Sequence, residues 1–224
     1  MVIAVDGPGG VGKSTVANRV AEAVGLPHLD TGSTYRAAGL VALRSGTPLD
    51  DGTAVLAAIE SVDIQIVEGT VSIDGVDVTQ ALRTDEVTKA SSAVATHPDI
   101  RSRIVALQRS WVEDHGGSAV VEGRDIGTVV FPDAPVKIYL TARPEVRAAR
   151  RSGDAEAGNK STEQIAAELA ARDHTDSSRK ASPLRPADDA NIIDTSDLSI
   201  DEVVRVVLEL VEVTGDRRQA TGSS

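Results

Sequence analysis

The sequence contains no cysteine, which excludes disulfides and thiolate metal centres. No apolar run approaches the roughly 20 residues a membrane-crossing helix needs, so an integral helical membrane protein is excluded too. Positive charge is in short supply: 23 Lys and Arg face 34 Asp and Glu, a formal net charge of −11. A surface of that sign repels polyanions, so no nucleic acid polymer is expected as a partner. The four histidines, His28, His97, His115 and His174, lack metal-ligand spacing. Sustained heptads and an exposed apolar stripe are missing as well, so nothing in the pattern argues against a monomer, and no membrane partner is expected. The chain opens on a strand-like segment rather than a charged-then-apolar leader, and a cytoplasmic location is the expectation.

What is present is a globular composition, 224 residues with 41% apolar content, and a skewed set of cations, 18 Arg against 5 Lys. Arginine suits bidentate recognition of phosphate, although a GC-rich genome would produce the same bias. A local motif is more informative. Gly7, Pro8, Gly9, Gly10, Val11, Gly12, Lys13, Ser14 and Thr15 follow the apolar run Met1 to Val5 and open a helical segment. The pattern G-x-x-x-x-G-K-[ST] needs its glycines because the backbone must curl tightly enough to aim successive N–H groups at one anion. Lys13 adds a mobile cation, and Ser14 offers a hydroxyl to Mg²⁺. The helix predicted over Lys13 to Val24 directs its positive dipole end at the phosphates.

Strand-like runs at Val2 to Val5, Ala119 to Val121, Val136 to Leu140 and Asn191 to Ile193 are separated by helical patterns. That alternation predicts an α/β, three-layer P-loop fold with a parallel central sheet flanked by helices. Between Val62 and Thr79 the apolar residues alternate at period two, the mark of a small antiparallel β insert, with turns at Glu68-Gly69 and Asp74-Gly75. Helices are expected over about Ser33 to Ser45, about Asp85 to Ala95 and Pro98 to Glu113, and from near Ser199 until the polar tail that begins at Gly215. The polar stretch Arg150 to Ser161 is read either as a mobile lid or as a plain surface loop. These readings give one domain over residues 1–214. Its core segments are 1–35, 115–150 and 186–214, with an insert over about 36–114 and a lid over about 150–180. Residues 215–224 are expected to form a disordered tail.

A phosphate loop does not by itself separate kinases from nucleotide-controlled switches. The segment LDTGSTYR, Leu29 to Arg36, falls at the end of the second predicted strand and brings Asp30, Thr31 and Arg36 toward the nucleotide. Arg36 is a candidate clamp for an acceptor phosphate, while Asp30 or Thr31 could equally cap the following helix. In EGRDIGTVVFP, Glu122 to Pro132, Arg124 and Asp125 form a cation and carboxylate pair flanked by glycines, which let a ligand approach the backbone. A simple surface ion pair is the alternative.

Taken together, GPGGVGKST, DTGSTYR, the helix bearing Arg101, GRDIGTVVFPDAPVKIYL and ARDHTDSSRKASPL resemble the bacterial cytidylate kinases, nucleoside monophosphate kinases of the P-loop group. The resemblance spans nearly the whole chain, departing around Ser152 to Ser161. It implies Mg²⁺-dependent transfer of the ATP γ-phosphoryl group to CMP or dCMP, with ATP and CMP or dCMP as small-molecule partners. In that picture Lys13 bridges donor phosphates, Arg36 and Arg124 hold the acceptor phosphate, and Arg172 and Arg179 approach from the lid side. Arg147, Arg150 and Arg151 are looser candidates. The β insert corresponds to the enlarged monophosphate-binding region of this family. Cytosine presents an amino donor beside ring acceptors, a pattern that Asp125 and Arg101 can complement. The resemblance also implies Ser92 in the base pocket and Asp176, with Arg172, near the ribose. Ser92 reads equally as a packing residue and Arg101 as solvated surface. Two other readings compete: a kinase of another monophosphate or small metabolite, and a regulatory switch, for which no water-positioning residue is evident.

Overall fold

Strand β1 (Val2–Asp6) is apolar on both faces because it lies inside a sheet: Ile3, Ala4 and Val5 are completely enclosed. The computed structural model describes residues 1–67, 69–153, 160–179 and 181–221. After β1 come α1 (Lys13–Val24), β2 (His28–Asp30), α2 (Thr31–Ser45), α3 (Gly52–Glu60), β3 (Ile64–Val67), β4 (Thr70–Ile73), β5 (Val76–Asp77), α4 (Asp85–Val94) and α5 (Pro98–Asp114). They are followed by β6 (Ala119–Gly123), β7 (Val136–Thr141), α6 (Pro144–Ser152), α7 (Thr162–Ser178), β8 (Asn191–Asp194) and α8 (Ile200–Thr221). Two compact units emerge, Met1–Leu29 with His115–Ser224, and Asp30–Asp114.

The first unit is built on a five-stranded sheet ordered β2-β6-β1-β7-β8. Parallel pairing sets Asp6 opposite Gly123 on one side and Tyr139 on the other. The chain winds to one side of β1 through β2 and β6 and then to the other through β7 and β8. The carboxyl end of β1 is therefore the point where winding reverses, the place where open α/β sheets hold ligands. Helix α1 turns Val16, Ala17, Val20 and Ala21 inward onto this sheet and ends at Gly25, whose φ of 66° is the left-handed cap a side chain would resist. Among the described residues no helix is long and apolar enough to cross a membrane.

In the second unit the alternation read from Val62 to Thr79 becomes a three-stranded antiparallel sheet, β3-β4-β5, with Ile64, Ile66, Val71 and Ile73 inward. Asp74 and Gly75 both take positive φ, 51° and 77°, the backbone that a two-residue hairpin requires. Of the other expected turn, Gly69 has φ 79° and Glu68 lies outside the described residues. Trp111 on α5 donates its indole N–H to Ile66 O at 2.8 Å, fastening helix to sheet. Helices α2 and α4 approach so closely at Gly39 that a Cβ there would stand 2.8 Å from Ser91 N.

Two sequence expectations need correction, and one helix was not anticipated. Helix α2 begins at Thr31 rather than Ser33, because the Asp30 carboxylate caps it by accepting the Gly32 N–H at 2.8 Å. Helix α3 escaped the sequence reading; only Val55 and Ile59 are buried in a stretch of uniformly apolar residues, so its period was blurred. Helix α8 continues to Thr221 instead of ending in a disordered tail at 215. A lone Gly215 costs a helix only about 1 kcal/mol and no proline follows to stop it. Residues 222–224 of that expected tail, and 154–159 and 180 of the expected lid, lie outside the described residues.

Candidate active site

The phosphate loop leaves β1 at Gly7, where φ is 148° and a Cβ would meet Leu140 O at 2.3 Å, so no other residue fits. Gly10 and Gly12 follow with φ of 78° and 89°. Gly12 caps α1 without any side chain, which leaves the first helical N–H groups directed at the loop. Lys13, the first residue of α1, is enclosed and donates to Pro8 O at 2.7 Å. Burial first, and then the Arg124 charge, draws its ammonium down to about 7. Ser14 donates its hydroxyl to the Glu122 carboxylate at the end of β6, 3.0 Å away, and His28 of β2 stands 3.2 Å from the other carboxylate oxygen. The Ser14 hydroxyl and the Glu122 carboxylate are hard oxygen donors of the kind Mg²⁺ takes, usually with substrate phosphates completing its shell. No cluster of three or more His, Cys, Asp or Glu able to hold a metal exists among the described residues.

Cations crowd this loop. Arg124, one residue beyond β6, donates through Nε to Asp176 of α7 at 3.0 Å, and the second Asp176 oxygen pairs with Arg179. Asp176 is 1% exposed, so one enclosed carboxylate holds two guanidinium groups in register. Arg172 acts with Arg124 in lowering the basicity of Lys13, which places its charge in the same cluster. Arg147 of α6 donates to Gly9 O at 2.6 Å and pairs with Asp173 of α7. Arg150, by contrast, donates to the hydroxyl and carbonyl of Thr195 at 2.8 and 2.6 Å, and so braces the loop after β8. Asp125 is buried and begins a π-helical turn, Ile126–Val130, its carbonyl accepting from Val129 and Val130 at 2.9 and 3.1 Å.

In the second unit Arg36 donates to Asp30 at 2.5 Å, so one carboxylate both caps α2 and holds the candidate clamp. Thr31 is enclosed, and its carbonyl accepts from the Thr34 hydroxyl at 2.6 Å. Ser92 returns its hydroxyl to Thr88 O at 3.2 Å, in keeping with the packing alternative. Arg101 is not solvated surface. It is 4% exposed, donates to Ala95 O at 3.3 Å and lies 5.3 Å over the Tyr35 ring, where a cation is attracted to the aromatic face.

Sequence reasoning missed Asp6, Glu122 and Asp173. Asp6 and Glu122 each stand at the carboxyl end of a buried strand, beside a motif already singled out, and that position is the signal that could have found them.

The sequence profile of the cytidylate kinase family matches residues 3–213. This chain belongs to the cytidylate kinase family. A cytidylate kinase of Streptomyces avermitilis is 46% identical over 218 residues, covering 95% of this chain and 93% of its own length. One from Rhodococcus jostii is 47% identical, with 96% of each chain covered. Among solved structures, a gluconokinase from Sinorhizobium meliloti superposes with a TM-score of 0.51 at 16% identity, covering 98% of this chain and 96% of its own. An uncharacterized protein from Eubacterium ventriosum gives 0.57 at 14% identity, covering 95% and 98%. At such identities these two share the fold alone.

Proposed function

We propose that the enclosed cation cluster carries out the reaction of this family, transfer of the ATP γ-phosphoryl group to CMP or dCMP to give ADP and CDP or dCDP. A phosphate acceptor is already nucleophilic at neutral pH, so the protein needs no strong base; it must neutralise charge and align two nucleotides. The observation that carries this reading is one cluster of cations: Arg124 and Arg179 share the buried Asp176 carboxylate, and the charges of Arg124 and Arg172 both act on the enclosed Lys13. Residues 7–15 would cradle the donor phosphates through backbone N–H groups, with Lys13 reaching the transferring group. For the acceptor we assign Arg36, Arg124 and Arg179 to the phosphate, Asp176 and Arg172 to the ribose, and Asp125, Arg101 and Ser92 to the base, with Asp30 and Thr31 supporting Arg36. Ser14, oriented by Glu122, would hold Mg²⁺. The bound ion would supply positive charge to offset that of the donor phosphates.

Residues about 150–180, which include helix α7, would serve as the lid and residues about 36–114 as the monophosphate-binding region. A monomer in the cytoplasm, acting in pyrimidine nucleotide metabolism without nucleic acid or membrane, is the setting this chemistry fits. ADP release measured with ATP, Mg²⁺ and each nucleoside monophosphate in turn tests the reading. Fastest turnover with CMP or dCMP is expected, and preference for another acceptor would overturn it. Asp125→Ala should cost about ten- to a hundredfold in preference for CMP over UMP, the worth of a charge-assisted hydrogen bond. Unchanged discrimination would remove Asp125 from the base pocket.

A further inference from the structure

Asp6 has a buried carboxylate that the reaction scheme above does not use. It ends β1, one residue before the phosphate loop, and is 4% exposed. Its two oxygens accept separate backbone N–H groups, Ile126 at Oδ1 and Gly127 at Oδ2, each at 2.8 Å. Those donors open the π-helical turn immediately after Arg124 and Asp125. The fit leaves no slack, since a Cβ on Gly127 would stand 3.4 Å from Asp6 Oδ2 and 3.2 Å from the Lys137 side chain. An enclosed carboxylate is expensive to ionise, and the two buried N–H groups it accepts offset that cost while losing their acceptor if it is removed.

We infer that Asp6 is a positioning residue for phosphoryl transfer: its ionised carboxylate ties the segment carrying Arg124 and Asp125 to the strand that delivers the phosphate loop. The inference rests on the cytidylate kinase reading of the same site. It goes beyond that reading by assigning the register between Lys13 and Arg124 to one side chain that touches neither substrate. Both oxygens must be acceptors for the tie to hold. Protonation turns one into a hydroxyl, a weaker acceptor that also lacks the negative charge that strengthens both N–H contacts. The groups facing Asp6 are Lys13 from α1, Asp125 from the turn, and Tyr139 from β7, while Lys137 flanks Gly127 and is itself held by Asp189 at 2.8 Å. Burial outweighs the two N–H donors and lifts the Asp6 carboxyl from 3.8 to about 6. The tie should therefore loosen within reach of mildly acid conditions.

Three measurements on the full chain test this: kcat with saturating ATP, Mg²⁺ and CMP across pH, the ¹³Cγ resonance of Asp6 across the same range, and both in Asp6→Asn. Asparagine keeps one acceptor and presents an amide N–H₂ where the second should be, so it mimics the protonated acid at every pH. The wild type should lose kcat on the acid side of about pH 6, with the Asp6 resonance titrating at the same pH. Asp6→Asn should lose about ten- to a hundredfold in kcat at neutral pH, the scale set by misplacing a charge by about an ångström. Its acid limb should vanish. Wild-type kcat in the variant, or an unchanged acid limb, would overturn the inference. Should the variant fail to fold, the wild type still decides: an acid limb that does not coincide with the Asp6 resonance rejects the tie. A wild type that turns over no CMP at all overturns the family reading instead, and this proposal with it.

Discussion

In the first unit the enclosed polar side chains among the described residues are Asp6, Lys13, Glu122, Asp125, Lys137, Arg147 and Asp176, charged throughout apart from Thr195. In the second they are Thr31, Ser33, Thr34, Ser91 and Gln108, uncharged apart from Arg101. Burying ions costs several kcal/mol each unless they are paired, so a fold seeking stability alone would use the second pattern everywhere. The first unit retains the costly pattern where the proposed reaction would have to meet phosphate charge. The second satisfies hydroxyls and amides locally, as when Gln108 donates to Thr34 at 2.8 Å, and spends its one enclosed cation above an aromatic ring.

That contrast can be broken most forcefully at Lys13. Lys13→Ala should lower kcat by about a hundred- to a thousandfold, as loss of one preorganised donor does elsewhere, while thermal unfolding shows the fold intact. Lys13 is a buried cation beside other cations, so its removal relieves repulsion. A variant that keeps its turnover would mean the cluster is structural.

The next effect is one of pH on stability. Folded Asp6 holds its proton up to about 6 whereas the unfolded chain releases it near 3.8. Between those values the native state binds more protons than the unfolded one, so stability falls as pH rises through that window, by about 3 kcal/mol in all. Urea unfolding on both sides of the window should show the wild type losing stability relative to Asp6→Asn as pH rises, since the carboxylates whose folded values are lowered, such as Asp189 and Asp194, contribute equally to both proteins.

Within the second unit, Arg101→Met keeps the packing volume and removes the charge. It should cost about tenfold in preference for CMP over UMP, with kcat on CMP affected less, because a cation–π contact and a buried guanidinium are worth about 1–2 kcal/mol here. Competition assays between the two acceptors check it. The smallest effect concerns packing: Gly39→Ala should destabilise by about 1–2 kcal/mol through overpacking against Ser91 and Ala90, read by denaturant titration. By contrast, a Cβ at Gly69 meets nothing within 4 Å, and any cost there comes from its φ of 79° alone.

Much of the architecture was legible because its signals are local. A buried parallel strand reads as an apolar run, so Val2–Asp6 and Val136–Thr141 stand out; a two-residue hairpin demands left-handed backbone, so Asp74-Gly75 marks itself. Helix α3 and the π-helical turn at Ile126–Val130 were not legible. The first has too little amphipathic contrast, and the second depends on the N–H groups that Asp6 accepts from 120 and 121 residues away. Arg150 matched the pattern of a lid cation, yet it is committed to Thr195, a partner no spacing rule could name.

The sequence by itself determined the phosphate loop, the core strands and the family, since each of these is written in contiguous residues whose spacing dictates backbone shape. Only the tertiary structure decided which charges work together. Asp176 gathering Arg124 and Arg179, Glu122 receiving Ser14, and Asp6 holding Ile126 and Gly127 are contacts between segments far apart in the chain. Electrostatic energy depends on distance and burial in space, and neither is encoded at any single position.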